Sequence, residues 1–235
     1  MTHATTPPLN PLLQYFNSNP GRLMTKWRHY FDIYHRHFER YRGRAPTVVE
    51  IGVFHGGSLQ MWKSYFGAGA RIVGVDVNPR LQELGEDGIE IIIGDQSDQA
   101  FLRRLGQQVG PIDILIDDGG HTMSQQIGTV ETLFGAVAVD GVILVEDTHT
   151  SYWREYGGGL RAHTTFMQFA KHLVDELNAY HSRDPQSFVS GPFTQATNSI
   201  HFYDSVVVIE KGVHPRPEQV HSGVPSFPIS TPVDE

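Results

Sequence analysis

Seven short apolar runs punctuate the chain, and their spacing predicts alternating strands and helices. Thr47–Val53 (TVVEIGV), Arg71–Val77 (RIVGVDV), Ile89–Ile93, Ile112–Asp117 (IDILID) and Val142–Val145 are rich in Val and Ile. Runs this short, apolar at successive positions, are strands covered on both faces. Ser199–Phe202 and Ser205–Glu210 (SVVVIE) follow, separated by Tyr203-Asp204, and read as a tight hairpin. Helical segments are expected between the strands at Leu59–Phe66, Gln99–Gln108, Ser124–Ala136 and Ala162–Ala179. Ahead of them, Trp27, Tyr30, Phe31, Tyr34, Phe38 and Tyr41 recur at helical spacing within Lys26–Arg44. Most of that stripe reads as core packing, although Lys26, His29 and Tyr30 stand where they could reach a ligand. Residues 1–22, rich in Pro, Asn and Thr, read as an irregular arm, and Gly212–Glu235 as a proline-rich tail. Residues 1–45 thus form an arm plus an aromatic helix, 46–211 the main domain and 212–235 the tail.

The chemistry collects where these strands end. Ile112–His121 reads IDILIDDGGH, and Gly141–Val145 runs into Glu146, Asp147 and His149. An open α/β sheet places its ligands at the carboxyl ends of its strands. Asp117, Asp118, His121, Glu146, Asp147 and His149 are therefore expected in one site. Carboxylates so close repel unless a cation neutralises them, and oxygen donors suit magnesium, calcium or manganese better than zinc. The plain alternative is that these acids cap helices and form turns. The first strand runs through Gly52 into Phe54-His55-Gly56-Gly57-Ser58 and a helix, the opening of a doubly wound nucleotide-binding fold, though without G-x-G-x-x-G. Glu50 lies inside that strand and needs partners there. Asp76 closes the second strand, where an acid accepts hydrogen bonds from ribose hydroxyls.

Composition narrows the partners. Across 235 residues the formal charge is −8, and no long basic run occurs. That argues against nucleic acid or an anionic membrane surface as partner. Cysteine is absent, so disulfides and thiolate chemistry are excluded. No apolar stretch reaches membrane-spanning length, and the N-terminus lacks a signal-peptide core, so a cytoplasmic protein is expected. Aromatic surface beyond what one core needs leads us to expect a homo-oligomer, most simply a dimer.

Five strand–helix units closed by a hairpin resemble the class I methyltransferase fold. The motifs EIGVFHGGSLQMW, GVDVNP, GDQSD, IDDGGH and VEDTHTSYW…YGGG, in this order, resemble the magnesium-dependent sugar O-methyltransferases of the macrocin and mycinamicin type, which adjoin a cephalosporin-hydroxylase-like group. The resemblance runs from about Lys26 to Lys211. It implies a Rossmann-like α/β fold: a mostly parallel seven-stranded sheet, a C-terminal antiparallel hairpin and helices on both faces. It puts the metal acids on Asp118, Glu146 and Asp147, and the general base on His121. S-adenosylmethionine would lie over Glu50, Gly52 and Gly56, its ribose on Asp76 and its adenine near Asp95 and Gln96. Asp117 would face the methionine amine or brace its loop.

Such a site would methylate a sugar hydroxyl of a glycoside, saccharide or glycosylated natural product. An aliphatic hydroxyl is a weak acid; a divalent ion such as Mg2+ stabilises its alkoxide, leaving His121 a proton within imidazole's range. Tyr152, Trp153 and Tyr156 suit a sugar's C–H faces, or else simply anchor their loop. His149 would be a ligand to the ion's neighbours or a donor to substrate. Competing readings are a catechol-type O-methyltransferase, an oxidative tailoring enzyme holding iron with His121, His149 and Asp118, and a binding module that has lost activity.

Overall fold

The computed structural model describes residues 10–184 and 186–227. Seven strands form one sheet: β1 (Thr47–Ile51), β2 (Arg71–Asp76), β3 (Ile89–Ile93), β4 (Ile112–Asp117), β5 (Val137–Val145), β6 (Thr197–Tyr203) and β7 (Val206–Lys211). Their order is β3-β2-β1-β4-β5-β7-β6, with β1 to β5 parallel and β7 antiparallel to both neighbours. This is the expected class I methyltransferase arrangement. Order reverses at β1 and β4, where such sheets open a crevice.

The helices are α1 (Pro11–Asn17), α2 (Tyr30–Phe38), α3 (Gly57–Phe66), α4 (Gln99–Val109), α5 (Met123–Leu133), α6 (Phe166–Leu177) and α7 (Pro192–Ala196). Alternate strand residues face opposite layers. Val48, Ile72, Ile114, Ile116, Val142 and Leu144 pack with the aromatics of α2 and α3. Val49, Val73, Leu115, Ile143 and Val145 pack with Leu102, Leu105, Val130, Leu133 and Phe166 on the other face. Phe31, Tyr34, Phe38 and Trp62 are fully buried. At about 1.5–3 kcal/mol for each such side chain, α2 belongs to the core and not to its periphery.

Several boundaries differ from the sequence expectation. The supposed irregular arm contains α1, started by Asn10, whose side chain accepts from the Leu12 and Leu13 amides, with Pro11 in the first turn. The aromatic segment becomes helical only at Tyr30, and Trp27 lies outside it, 56% exposed. Strand β5 starts at Val137, five residues early, because its register with β4 breaks between Ile112 and Ile114. Asp113, polar within β4, accepts from the Thr47 amide at 2.7 Å and so fixes the start of β1. Helix α6 begins at Phe166, capped by Thr165, four residues after the expected start. The tail's residues 212–227 carry no regular structure; residues 1–9 and 228–235 lie outside the described residues. No described helix is long and apolar enough to cross a membrane.

Candidate active site

Register builds the floor of the site. Ile51 pairs with Asp117, and Asp117 with Val145, so Gly52, Asp118 and Glu146 leave the sheet side by side. Main-chain bonds continue the row: Asp118 N to Ile51 O at 2.9 Å, Glu146 N to Asp117 O at 2.9 Å and Gly52 N to Val75 O at 2.8 Å. Gly52 has φ +96°, and a Cβ there would sit 2.0 Å from the Asp118 carbonyl oxygen. Only glycine allows the two strand ends to approach so closely.

Above this floor opens a cavity of about 590 Å³, lined among others by Gly52, Asp76, Asp95, Gln96, Asp118, His121 and Asp147. That size suits a nucleoside-bearing cofactor. Asp76 accepts from the Val53 amide (2.9 Å) and the Asn78 amide (2.9 Å). Each carboxylate oxygen keeps a lone pair, so a fixed acceptor pair remains for a ribose diol. Asp95 accepts from the Ser97 amide and lines the cavity. Gln96 commits its side chain to the loop: its amide donates to Asp117 Oδ1 (2.8 Å) and Thr129 Oγ1 (3.0 Å), and its carbonyl accepts from the Gly120 amide (3.0 Å). Asp117 is fully buried, braces Gly119 and lies outside the lining, which favours the bracing alternative. Burial pushes its carboxyl above the ordinary range. Gly56, at φ +79°, shapes the turn into α3 from outside the lining. Asp76→Ala should weaken S-adenosylhomocysteine binding about tenfold or more, the scale of a lost charged hydrogen bond. Calorimetry with unchanged affinity would remove Asp76 from the site.

The acids divide into two sets that share Asp118. The inner set surrounds Lys26, whose side chain is only 2% exposed. Its Nζ lies 3.3 Å from Glu50 Oε1, 2.6 Å from Asp118 Oδ2 and 2.9 Å from Glu146 Oε1. Glu50 also accepts from Ser58 Oγ (2.7 Å), and Glu146 from the Tyr34 hydroxyl (2.7 Å). Burial and the neighbouring Asp118 push the Glu146 carboxyl well up. Glu50 rises mainly through burial, despite Lys26. Burial alone would lower the Lys26 ammonium, but Asp118 and Glu146 outweigh it and hold it well above the ordinary lysine range. Three carboxyl groups thus crowd one ammonium, which ties Asp118 to the two buried glutamates.

The outer set faces the cavity. His121 Nε2 lies 3.5 Å from Asp147 Oδ2 and 3.9 Å from Asp118 Oδ1, each side chain about one-fifth exposed. The Asp118 and Asp147 carboxylates face each other across a gap that fits a divalent cation, with the His121 imidazole beside them. His121 (φ 56°) and Asp147 (φ 52°) both adopt left-handed backbone conformations, uncommon for such residues. Thr150 holds them: its hydroxyl lies 2.9 Å from the carbonyls of His121 and Asp147. The Tyr30 hydroxyl donates to Asp147 Oδ1 at 2.7 Å. Tyr30 is buried, and its hydroxyl also pairs with Ser205 Oγ at 2.8 Å. His29 binds the Asp204 carbonyl, and His149 Nδ1 pairs with Ser205 Oγ. His149 is absent from the sets able to hold an ion among the described residues, so the two-histidine iron arrangement is not assembled.

A row of rings starts beside Asp147, whose Oδ1 lies 3.9 Å from His149 Nδ1. Trp27 meets His149 at 6.1 Å between centroids, His149 meets Trp153 at 4.6 Å, and Trp153 meets Tyr156 at 5.9 Å. Trp27, Tyr152 and Trp153 are each about half exposed. Sequence reasoning assigned Trp27 to the core stripe, and the contacts of Tyr34, Ser58, Thr150 and Ser205 were not anticipated. For Trp27 the available signal was its place directly after Lys26, itself a candidate to reach a ligand.

A family model described as a methyltransferase domain matches residues 49–148. The sheet around that match has the class I methyltransferase fold. The chain's relatives include the 8-demethyl-8-(2-methoxy-alpha-L-rhamnosyl)-tetracenomycin-C 3'-O-methyltransferase of Streptomyces olivaceus, 37% identical over 79% of this chain and 50% of that protein. Demethylmacrocin O-methyltransferase of Streptomyces fradiae is 34% identical over 84% of this chain and 53% of its own length. Among solved structures, a methyltransferase from the mycinamycin biosynthetic pathway in complex with Mg, SAH and mycinamycin VI superimposes with a TM-score of 0.77. It shares 30% identity, over 96% of this chain and 58% of that one. The resemblance to macrocin- and mycinamicin-type O-methyltransferases is thus borne out, although the chain spans about half the length of these relatives.

Proposed function

We propose that the protein is an S-adenosylmethionine-dependent, divalent-metal-dependent O-methyltransferase acting on a sugar hydroxyl of a glycoside. One observation carries this reading: Asp118, Asp147 and His121 converge at the mouth of the cavity that Gly52 and Asp76 line. The comparisons with sugar O-methyltransferases support it.

Asp118 and Asp147 would hold the ion; Glu146, which the resemblance also places among the metal acids, has both its carboxylate oxygens on Lys26 Nζ. A bound Mg2+ supplies stabilisation of the developing alkoxide and orientation of neighbouring oxygens. The chain's own residues do the rest. Asp76 fixes the ribose, and with it the sulfonium, while the Trp27–Trp153 wall covers the sugar's C–H face and excludes water. His121 Nε2 takes the hydroxyl proton as the oxygen–methyl bond forms and the sulfur–methyl bond breaks, leaving S-adenosylhomocysteine. Tyr30 and Thr150 hold Asp147 and His121 in place during that transfer. Holding oxygen, methyl and sulfur in line contributes much of the acceleration.

The test is transfer of labelled methyl to a panel of glycosides, with and without chelator. Product that vanishes on chelation and returns with Mg2+ supports the reading; an undiminished rate with chelator removes the metal from it. The same reading carries a cytoplasmic location, where the cofactor is made, and a homo-oligomer, most simply a dimer. Monomer mass by light scattering would overturn the last point.

A further inference from the structure

Lys26 is the one cation buried within the acid cluster among the described residues, and the chain takes unusual care over where it sits. Residues 22 and 23 lie across the start of α3. The Gly57 amide donates to the Leu23 carbonyl at 3.3 Å, and the Arg22 amide to Gln60 Oε1 at 2.8 Å. A Cβ on Gly57 would meet the Arg22 carbonyl oxygen at 2.3 Å, so only glycine lets this segment pack so low. On the other side, the Tyr30 amide bonds the Trp27 carbonyl at 3.1 Å, and α2 follows. The ammonium is thus delivered from a segment pinned at both ends, over the Tyr34 ring at 5.8 Å.

Asp118 divides its two oxygens. Oδ2 belongs to Lys26, while Oδ1 is the one nearest His121. Paired metal centres use a carboxylate in this way, bridging two cations about 3.5–4 Å apart. Glu50 and Glu146 complete the ring around Nζ and are 0% and 1% exposed, with no share in the cavity lining.

We propose that Lys26 is a positioning residue that serves as a built-in second cation. Its ammonium fills the inner half of a two-part cation site and leaves Asp118 Oδ1 and Asp147 to one divalent ion outside. The outer half rests on the metal reading above; the inner half stands on the lysine's own contacts. A fixed ammonium orients Asp118 before any ion arrives and keeps a second ion from entering. It cannot leave with product.

The experiment counts ions, using Mn2+ followed by electron paramagnetic resonance at one near-neutral pH. Wild-type protein should bind one Mn2+, and Lys26→Ala should bind two, because three carboxylates are freed. Adding Glu146→Gln to Lys26→Ala should return the count to one. Lys26→Arg, which keeps the charge, should stay at one. S-adenosylhomocysteine binding reports whether each variant is folded. Where the Ala variant is not, Lys26→Gln, which keeps most of the volume, carries the same expectation of two. No gain in count, or loss of the wild-type ion, overturns the proposal by reducing Lys26 to an ordinary structural salt bridge. The two readings fail separately. A wild-type count of zero removes the outer metal, whereas the difference between variant and wild type tests only Lys26.

Discussion

Asp147→Asn should lower metal-stimulated methyl transfer by roughly 10²–10³-fold or more, the scale on which one preorganised partner for developing charge is lost. It should leave S-adenosylhomocysteine affinity within about twofold of wild type, since the ribose contact proposed above is Asp76, on the far side of Gly52. Asp147 is the cleaner of the two outer acids to change, because it makes no ion pair with Lys26. Asparagine also tolerates the left-handed backbone that Asp147 occupies at φ 52°. Asp118→Asn should show the same loss with an added fall in stability, because Lys26 loses its closest partner at 2.6 Å. Steady-state rates across a Mg2+ series, with calorimetry for the cofactor, check both. Full activity in the Asp147 variant would return that residue to the role of a turn former.

Replacing His121 should separate base from metal. His121→Ala should slow the reaction by roughly two to four orders of magnitude, the range of general base catalysis, while ion and cofactor still bind. His121→Asn is the better-controlled change, since the residue sits at φ 56° and alanine pays there for a backbone that asparagine accepts. Activity should recover partly as pH rises, because hydroxide can then take the proton from the acceptor. The Asp147 variant should show no such recovery, since its defect is not a missing base. A pH–rate profile of the two variants decides between them. Parallel profiles would show that His121 and Asp147 act on the same step in the same way.

The sheet was legible because buried parallel strands write themselves as uninterrupted Val and Ile runs, and six of seven began within two residues of where the pattern put them. Strand β5 was the exception, since Asp140-Gly141 interrupts its run where the register with β4 shifts. Helix α1 escaped notice behind the proline and asparagine that start it, although Asn10-Pro11 is itself a start signal. The acids were legible as a group because they follow strands whose ends lie side by side. What the pattern could not carry was their division into two sets. Lys26 stands 24, 92 and 120 residues from its three partners, and no periodicity links them. Tyr30 likewise read as core stripe or ligand contact, and the distinction depended on a single hydroxyl reaching Asp147.

The Tyr34 hydroxyl on Glu146 has a consequence for how such enzymes can be recombined. The acids come from the strand ends, but their counter-charge and two of their hydroxyl donors come from residues 26–34, ahead of the first strand. A chimera joined near residue 46 would take its carboxylates from one parent and their neutralising lysine and tyrosines from the other. Parents whose N-terminal segments offer different charges should give chimeras that keep the sheet and lose the reaction centre, whereas a junction upstream of Arg22 would transmit the whole electrostatic unit intact.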